Sequence, residues 1–150
     1  MKIQLDTGAK MPTRAYGTDA GMDLYARESK TIPAHGSAVF DTGVHIELPK
    51  DTTGFLKSKS GLNVKYGITS EGVIDVGYTG SIKAKLYNHS DVDYKVEEGD
   101  KITQLVILPI IIPELEEVES LVTTDRGSNG FGSSGRQKNE HRIKTMSVLW

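Results

Sequence analysis

The sequence predicts an all-β protein. Three observations carry this: short apolar runs with period-two alternation, frequent glycine with prolines at segment edges, and little helical periodicity. Short strands separated by regular turn signals point to a sandwich, a jelly roll or a barrel. With 150 residues one domain is expected: a β body over 1–122, then a loose, flexible arm over 123–150.

The elements follow in chain order. "GTDAGMDLYA", residues 17–26, places two aspartates ahead of a strand. Asp19 reads as turn chemistry. Asp23 lies within the apolar frame of Met22, Leu24 and Tyr25, as a satisfied core acid or as part of a cation site. "SAVFDTGVHIELP" sets Val39, Val44, Ile46 and Leu48 against His45 and Glu47. "KSKSGLNVKYG" carries the best helical signal, one or two turns with Ser58 or Ser60 near the N-cap. Free amides at a helix start suit a phosphate, although two lysines and two serines also describe a solvated basic turn.

"EGVIDVGYTGSIK", residues 71–83, reads as a hairpin turn. Asp75 either caps it or sits at a strand end as a carboxylate able to take a proton from a water. Tyr78 offers a ring face at the same turn, and Gly72, Gly77 and Gly80 allow close approach to backbone amides. "SIKAKLYN" alternates cleanly, with Ile82, Ala84 and Leu86 on one face and Lys83 and Lys85 on the other. "ITQLVILPIII", after the Gly99-Asp100 turn, is apolar on both faces apart from Thr103 and Gln104, which implies a core strand that also meets another subunit. "PELEEVESL" is charged and is read as extended. "RGSNGFGSSG", residues 126–135, is mostly glycine and serine around Arg126 and Phe131. It is either a linker or a clamp that offers a ring to a flat ligand and a guanidinium to an anion.

Composition narrows the function classes. Hydrophobic residues are 37% and charged residues 25%, as in soluble globular proteins. The net charge of −2 gives no field that would draw nucleic acid or anionic lipid, so neither is expected as a partner. Without cysteine there is no thiolate chemistry, and the four histidines lack zinc-ligand spacing. No apolar run reaches membrane-spanning length and "MKIQLDTGAK" lacks a signal core, so a cytoplasmic protein is expected.

Five of these segments, "AGMDLYA", "KSKSGL", "GVIDVGYTG", "GDKITQLVILP" and "DRGSNGFGSSG", resemble the five motifs of the homotrimeric deoxyuridine triphosphatase (dUTPase) family in order and spacing. The resemblance runs to about Gly135. It implies a jelly-roll β barrel, a homotrimer with active sites at subunit interfaces, Mg²⁺ as cofactor, and hydrolysis of dUTP to dUMP and pyrophosphate. It implies that Asp75 activates the attacking water and that Tyr78 packs under the deoxyribose. Lys59, Ser60, Gly61 and Gln104 match phosphate contacts, and Asp23 matches an aspartate that meets Mg²⁺ through water. Gly72, Ile74 and Lys83 fall in the third-motif hairpin, whose main chain would read uracil. Arg126 would reach the γ-phosphate, Phe131 would stack on the base, and Gly132 and Ser133, with Ser134, would close over the phosphates.

Three features depart from the family pattern. Lys59 stands where arginine is usual, Thr69 stands where many relatives carry asparagine, and "RQKNEHRIKTMSVLW" continues past the fifth motif. Two alternative readings accompany the resemblance. One is a dCTP deaminase or a bifunctional deaminase–triphosphatase. The other is a dUTPase-like module that binds a regulatory protein.

Overall fold

Strand-forming alternation is realised almost everywhere the sequence shows it. The structure is a computed structural model and describes residues 1–130. Its strands are β1 (Lys2–Leu5), β2 (Gly21–Tyr25), β3 (Lys30–Ile32), β4 (Ser37–Asp41), β5 (Val44–Glu47), β6 (Thr52–Lys57), β7 (Ile68–Ile74), β8 (Lys83–Asn88), β9 (Tyr94–Val96) and β10 (Lys101–Pro109). One helix, α1 (Ser60–Tyr66), interrupts them. Six strands form a curled sheet in the order β2-β10-β6-β7-β8-β4, and the pairs β1-β5 and β3-β9 flank it. Every pairing is antiparallel. This is the all-β, jelly-roll type of barrel that the sequence predicts.

The core is aliphatic with one ring. Leu24, Ile32, Phe40, Ile68, Ile82, Leu86, Ile102 and Leu105 are all buried to within 2% of complete exclusion. Burying each such side chain contributes about 1.5–3 kcal/mol. In β8 the alternation is as read: Ala84, Leu86 and Asn88 point inward and Lys83, Lys85 and Tyr87 outward. The buried Asn88 is satisfied by the carbonyls of Ile32 and Val92, at 3.1 and 2.8 Å.

One expectation changes. Val39 was placed with Val44, Ile46 and Leu48, but it is exposed and Phe40 is buried instead. The chain breaks at Thr42–Gly43, where Gly43 takes φ +65°, so β4 and β5 are separate strands and the alternation changes phase between them. The helix lies where the sequence places it, with Ser58 and Ser60 on either side of its N-cap; the cap itself is Lys59 in extended conformation, with no side-chain bond. Ser58 is occupied elsewhere: its Oγ donates to the Ser70 carbonyl at 3.1 Å and accepts from the Ser70 amide at 2.9 Å.

The compact body is Met1–Pro113, and Glu114 begins a second unit. Residues 114–122 form neither helix nor strand. Further on, the Asn129 amide donates to the Arg126 carbonyl at 3.0 Å and Arg126 Nε to the Asn129 carbonyl at 3.3 Å. Among the described residues no helix is long and apolar enough to cross a membrane.

Candidate active site

The predicted residues of the body gather at two places. The first is a cleft of about 230 Å³ beside the β7–β8 turn, and its lining includes Gly72, Ile74, Asp75, Tyr78 and Lys83. The turn is closed by the Tyr78 amide donating to the Asp75 carbonyl at 3.1 Å. Its third residue, Gly77, has φ +91°, the left-handed requirement of a type II turn that glycine meets without strain. The Tyr78 ring lies across Gly80, where a Cβ would sit 2.7 Å from Tyr78 Cζ. Any larger residue at 80 would displace the ring. Tyr78 Oη donates to the Ser81 carbonyl at 3.1 Å, which fixes the ring over the turn. Asp75 is exposed at the mouth of the cleft.

The second place is the opposite end of β6. Here β10 lies between β2 and β6, with Gln104 opposite both Asp23 and Lys57. The Asp23 side chain is almost buried. Its Oδ1 pairs with Lys59 and its Oδ2 with Lys101, the latter at 2.8 Å. Burial pushes its carboxyl up, but hydrogen bonds from Lys101 and Lys59 and their charges outweigh that and hold it below the usual range. Two ammonium groups on one carboxylate leave a net positive pole. Gln104 Nε2 donates to the Ser58 carbonyl at 3.1 Å, and its side chain crosses Gly21, where a Cβ would sit 2.2 Å from Gln104 Oε1. Thr103 Oγ1 donates to the Lys57 carbonyl at 3.0 Å and lies 2.9 Å from Ser70 Oγ. These bonds fix the chain as it leaves β6 for α1. The first-turn amides of Ser60 and Gly61 have no intrahelical acceptor, and both residues lie beside Lys59 at this pole.

Sequence reasoning missed Lys101, Ser58 and Thr103. Lys101 has a signal in retrospect, since it precedes a strand that must pair with the strand of Asp23. Ser58 and Thr103 have none, because a hydroxyl bonded to a neighbouring strand's carbonyl leaves no local pattern. Thr69 lies outside the Asp75 cleft: its Oγ1 meets His89 Nε2 at 2.8 Å, in a separate hollow between Lys57 and Tyr87. Arg126 is described and exposed, whereas Phe131, Gly132 and Ser133 lie outside the described residues.

The Asp23 cluster allows a stability test. A carboxylate held below its ordinary value stabilises the fold above that value, near 3.8, and loses the contribution as pH falls through the folded value. Asp23→Asn is expected to cost roughly 1–3 kcal/mol at neutral pH, less than a fully buried pair because both lysines still touch water. Urea unfolding checks this. The gap between variant and parent should narrow in acid, and equal stabilities at neutral pH would contradict the pairing.

Among the described residues no three acidic, histidine or cysteine side chains converge on a metal position. A divalent cation therefore finds no protein cage here. The ionised Asp23 fits contact with the water shell of a Mg²⁺ that arrives on phosphate oxygens, the usual manner of that ion.

A curled all-β sheet that carries a carboxylate cleft at one end of a strand and a cationic pole at the other defines a candidate nucleotide-phosphate site on a jelly roll. The dUTPase family model matches residues 7–135. The deoxyuridine 5′-triphosphate nucleotidohydrolase of Clostridium acetobutylicum is 44% identical over 142 residues, 92% of this chain and 98% of that protein. That of Candida albicans is 45% identical over 130 residues, 85% of this chain and 82% of that protein. The chain belongs to the dUTPase family. Among solved structures, the dUTPase of Staphylococcus bacteriophage 80alpha with dUPNHPP superposes with TM-score 0.85 at 32% identity, covering 90% of this chain and 98% of that one. A point mutant of the phage phi11 dUTPase, described as coordinating a structural Mg(II) ion, superposes with TM-score 0.74 at 31% identity, covering 79% of this chain and 96% of that one.

Proposed function

We propose that the chain hydrolyses dUTP to dUMP and pyrophosphate by attack of a water at the α-phosphorus, with Asp75 as the group that activates the water. The observation that carries this is the cleft where Asp75 and Tyr78 share one turn with Gly72 and Ile74 on the adjoining strand. There a carboxylate and a sugar-sized ring face are held a fixed few residues apart. The uracil is read by main-chain groups of the β7–β8 hairpin, and Tyr78 excludes a 2′-hydroxyl. Asp75 accepts the proton of the attacking water. The new P–O bond forms at the α-phosphorus, the bridge to the β-phosphorus breaks, and pyrophosphate leaves with the electron pair. Lys59, Ser60, Gly61 and Gln104 hold phosphate oxygens, and the arm from residue 123 brings Arg126 and Phe131 over the substrate. Mg²⁺ is the cofactor; bound with the triphosphate it would neutralise charge on the leaving group, and Asp23 would meet it through water.

The two halves belong to different copies. Asp75 follows Ile74, which pairs with Gly54, whereas Asp23 and Lys59 lie beyond Lys57. Four strand positions from Thr53 to Lys57 span roughly 13 Å, and Ser58 separates Lys57 from Lys59. A water polarised by Asp75 must lie within hydrogen-bond reach of it, so the phosphate pole serving that water comes from another subunit. A homotrimer with sites at its interfaces meets this need. In the single chain Leu108, Ile111 and Ile112 stand exposed on and after β10, a surface suited to burial between copies. Light scattering at micromolar concentration should give a trimer. An active monodisperse monomer would contradict the shared site.

The functional test is pyrophosphate release from dUTP run beside ammonia release from dCTP. Pyrophosphate alone is expected. Ammonia from dCTP would favour the deaminase reading, and neither product would favour a purely protein-binding module.

A further inference from the structure

His45 stands on the outward face of β5, and the sequence gives it no role. In the structure its ring bridges two elements. Nδ1 lies 2.8 Å from the carbonyl oxygen of Thr79, the residue after Tyr78. Nε2 lies 3.2 Å from Asp6 Oδ1, just beyond β1. Asp6 is fixed in turn by Arg27, whose Nη1 donates to Oδ2 at 3.0 Å. A backbone carbonyl and an ionised carboxylate can only accept. A neutral imidazole has one N–H and satisfies one of them. The imidazolium has two and satisfies both.

The rest of the turn is pinned from the same side. Asp41 accepts from Ser81 Oγ and from the Gly43 amide. Thr42 Oγ1 donates to the Ile82 carbonyl at 2.7 Å, and the Ile82 amide donates to the Val44 carbonyl at 2.8 Å. These contacts hold residues 81 and 82. From outside the turn, His45 supplies the side-chain contact nearest Tyr78 in the sequence.

We infer that His45 is a positioning residue: as an imidazolium it braces the Thr79 carbonyl, and through it the turn that carries Asp75 and Tyr78, and it lets that turn loosen when it gives up its second proton. The inference rests on the assignment of Asp75 and Tyr78 made above. The charges around the ring favour the braced form. The Thr79 carbonyl contributes most to raising its pKa above the ordinary value; partial burial opposes, and Asp6 and Asp41 add to the rise. Arg27 offsets part of Asp6. Lys2 on β1 and Glu47 on β5 itself pair with each other at 3.0 Å. The brace is therefore complete below the ordinary histidine range, near 6.5, and is lost as pH rises through the elevated value.

The test compares the intact enzyme with His45→Phe and Asp6→Asn. Two quantities are followed with pH: the His45 ring signals by NMR without nucleotide, and kcat and KM for dUTP and UTP. In the parent, His45 should titrate above its ordinary value. Across that titration kcat/KM for dUTP should fall about tenfold, and the preference for dUTP over UTP should relax with it. His45→Phe should show the lower plateau at every pH. Asp6→Asn should show the upper plateau at every pH, because an asparagine can donate to Nε2 of a neutral ring and leave Nδ1–H on Thr79. A purely structural role would lower stability in both variants without separating their pH profiles. A His45 titration at or below its ordinary value would overturn the brace, as would a His45→Phe profile that overlays the parent. If the parent does not hydrolyse dUTP at all, the assignment of the site fails, and the NMR titration still decides whether the ring is held doubly protonated.

Discussion

Asp75→Asn is expected to lower kcat for dUTP roughly 10²–10⁴-fold, the usual worth of a general base, with little change in dUTP binding or stability. Asp75 is exposed at the turn, and among the described residues its side chain takes no hydrogen bond or ion pair. Asparagine keeps the size and leaves the turn bond from the Tyr78 amide to the residue 75 carbonyl intact. Surface changes of this kind alter stability within about 0.5 kcal/mol. What is lost is the acceptor for the water's proton. Steady-state kinetics with thermal unfolding checks both halves. A turnover within a few-fold of the parent would remove Asp75 from its role, and a large fall in melting temperature would make the variant uninformative about chemistry.

The second large effect concerns Arg126 and the residues after it. Removing the chain from Arg126 onward is expected to lower kcat/KM for dUTP roughly 10²-fold through lost positioning and water exclusion, while the barrel still folds, because its core lies within Met1–Pro113. An arginine–phosphate bond contributes about 1.5–3 kcal/mol and stacking on an aromatic about 1–3 kcal/mol per base. Ordering the backbone costs about 1–2 kcal/mol per residue. With Arg126 and Phe131 in the proposed roles, closure over the substrate is expected only with the full triphosphate. Trypsin cleavage after Arg126 should slow with a non-hydrolysable dUTP analogue and Mg²⁺, and far less with dUMP. Phe131→Ala should weaken the protection. Cleavage at equal rates with and without saturating analogue would leave these residues a linker.

What the sequence disclosed depended on how local the signal was. The alternation in "SIKAKLYN" became β8 with the faces as read, because a period of two is a property of consecutive residues. The turn at Asp75–Tyr78 was legible for the same reason, since Gly77 lies within it and Gly80 just after it. Val39 was misplaced because a left-handed glycine at 43 resets the phase, and alternation carries no mark of such a break. The two parts of the site were legible as segments, but not their separation along β6, which arises from the β6–β7 and β6–β10 registers. The partners of Asp23 could not be chosen in advance, because "KSKS" offers two lysines and Lys101 lies 78 positions away in the chain (101 − 23). His45 was read only as an outward residue, since its two acceptors come from segments 39 and 34 positions distant.

In the proposed reaction a water attacks the α-phosphorus of dUTP. Hydrolysis in ¹⁸O-enriched water, followed by mass spectrometry of both products, tests it most directly. One ¹⁸O is expected in the phosphate of dUMP and none in pyrophosphate. Label in pyrophosphate would place the attack at the β-phosphorus and contradict the assignment of Asp75 and its cleft.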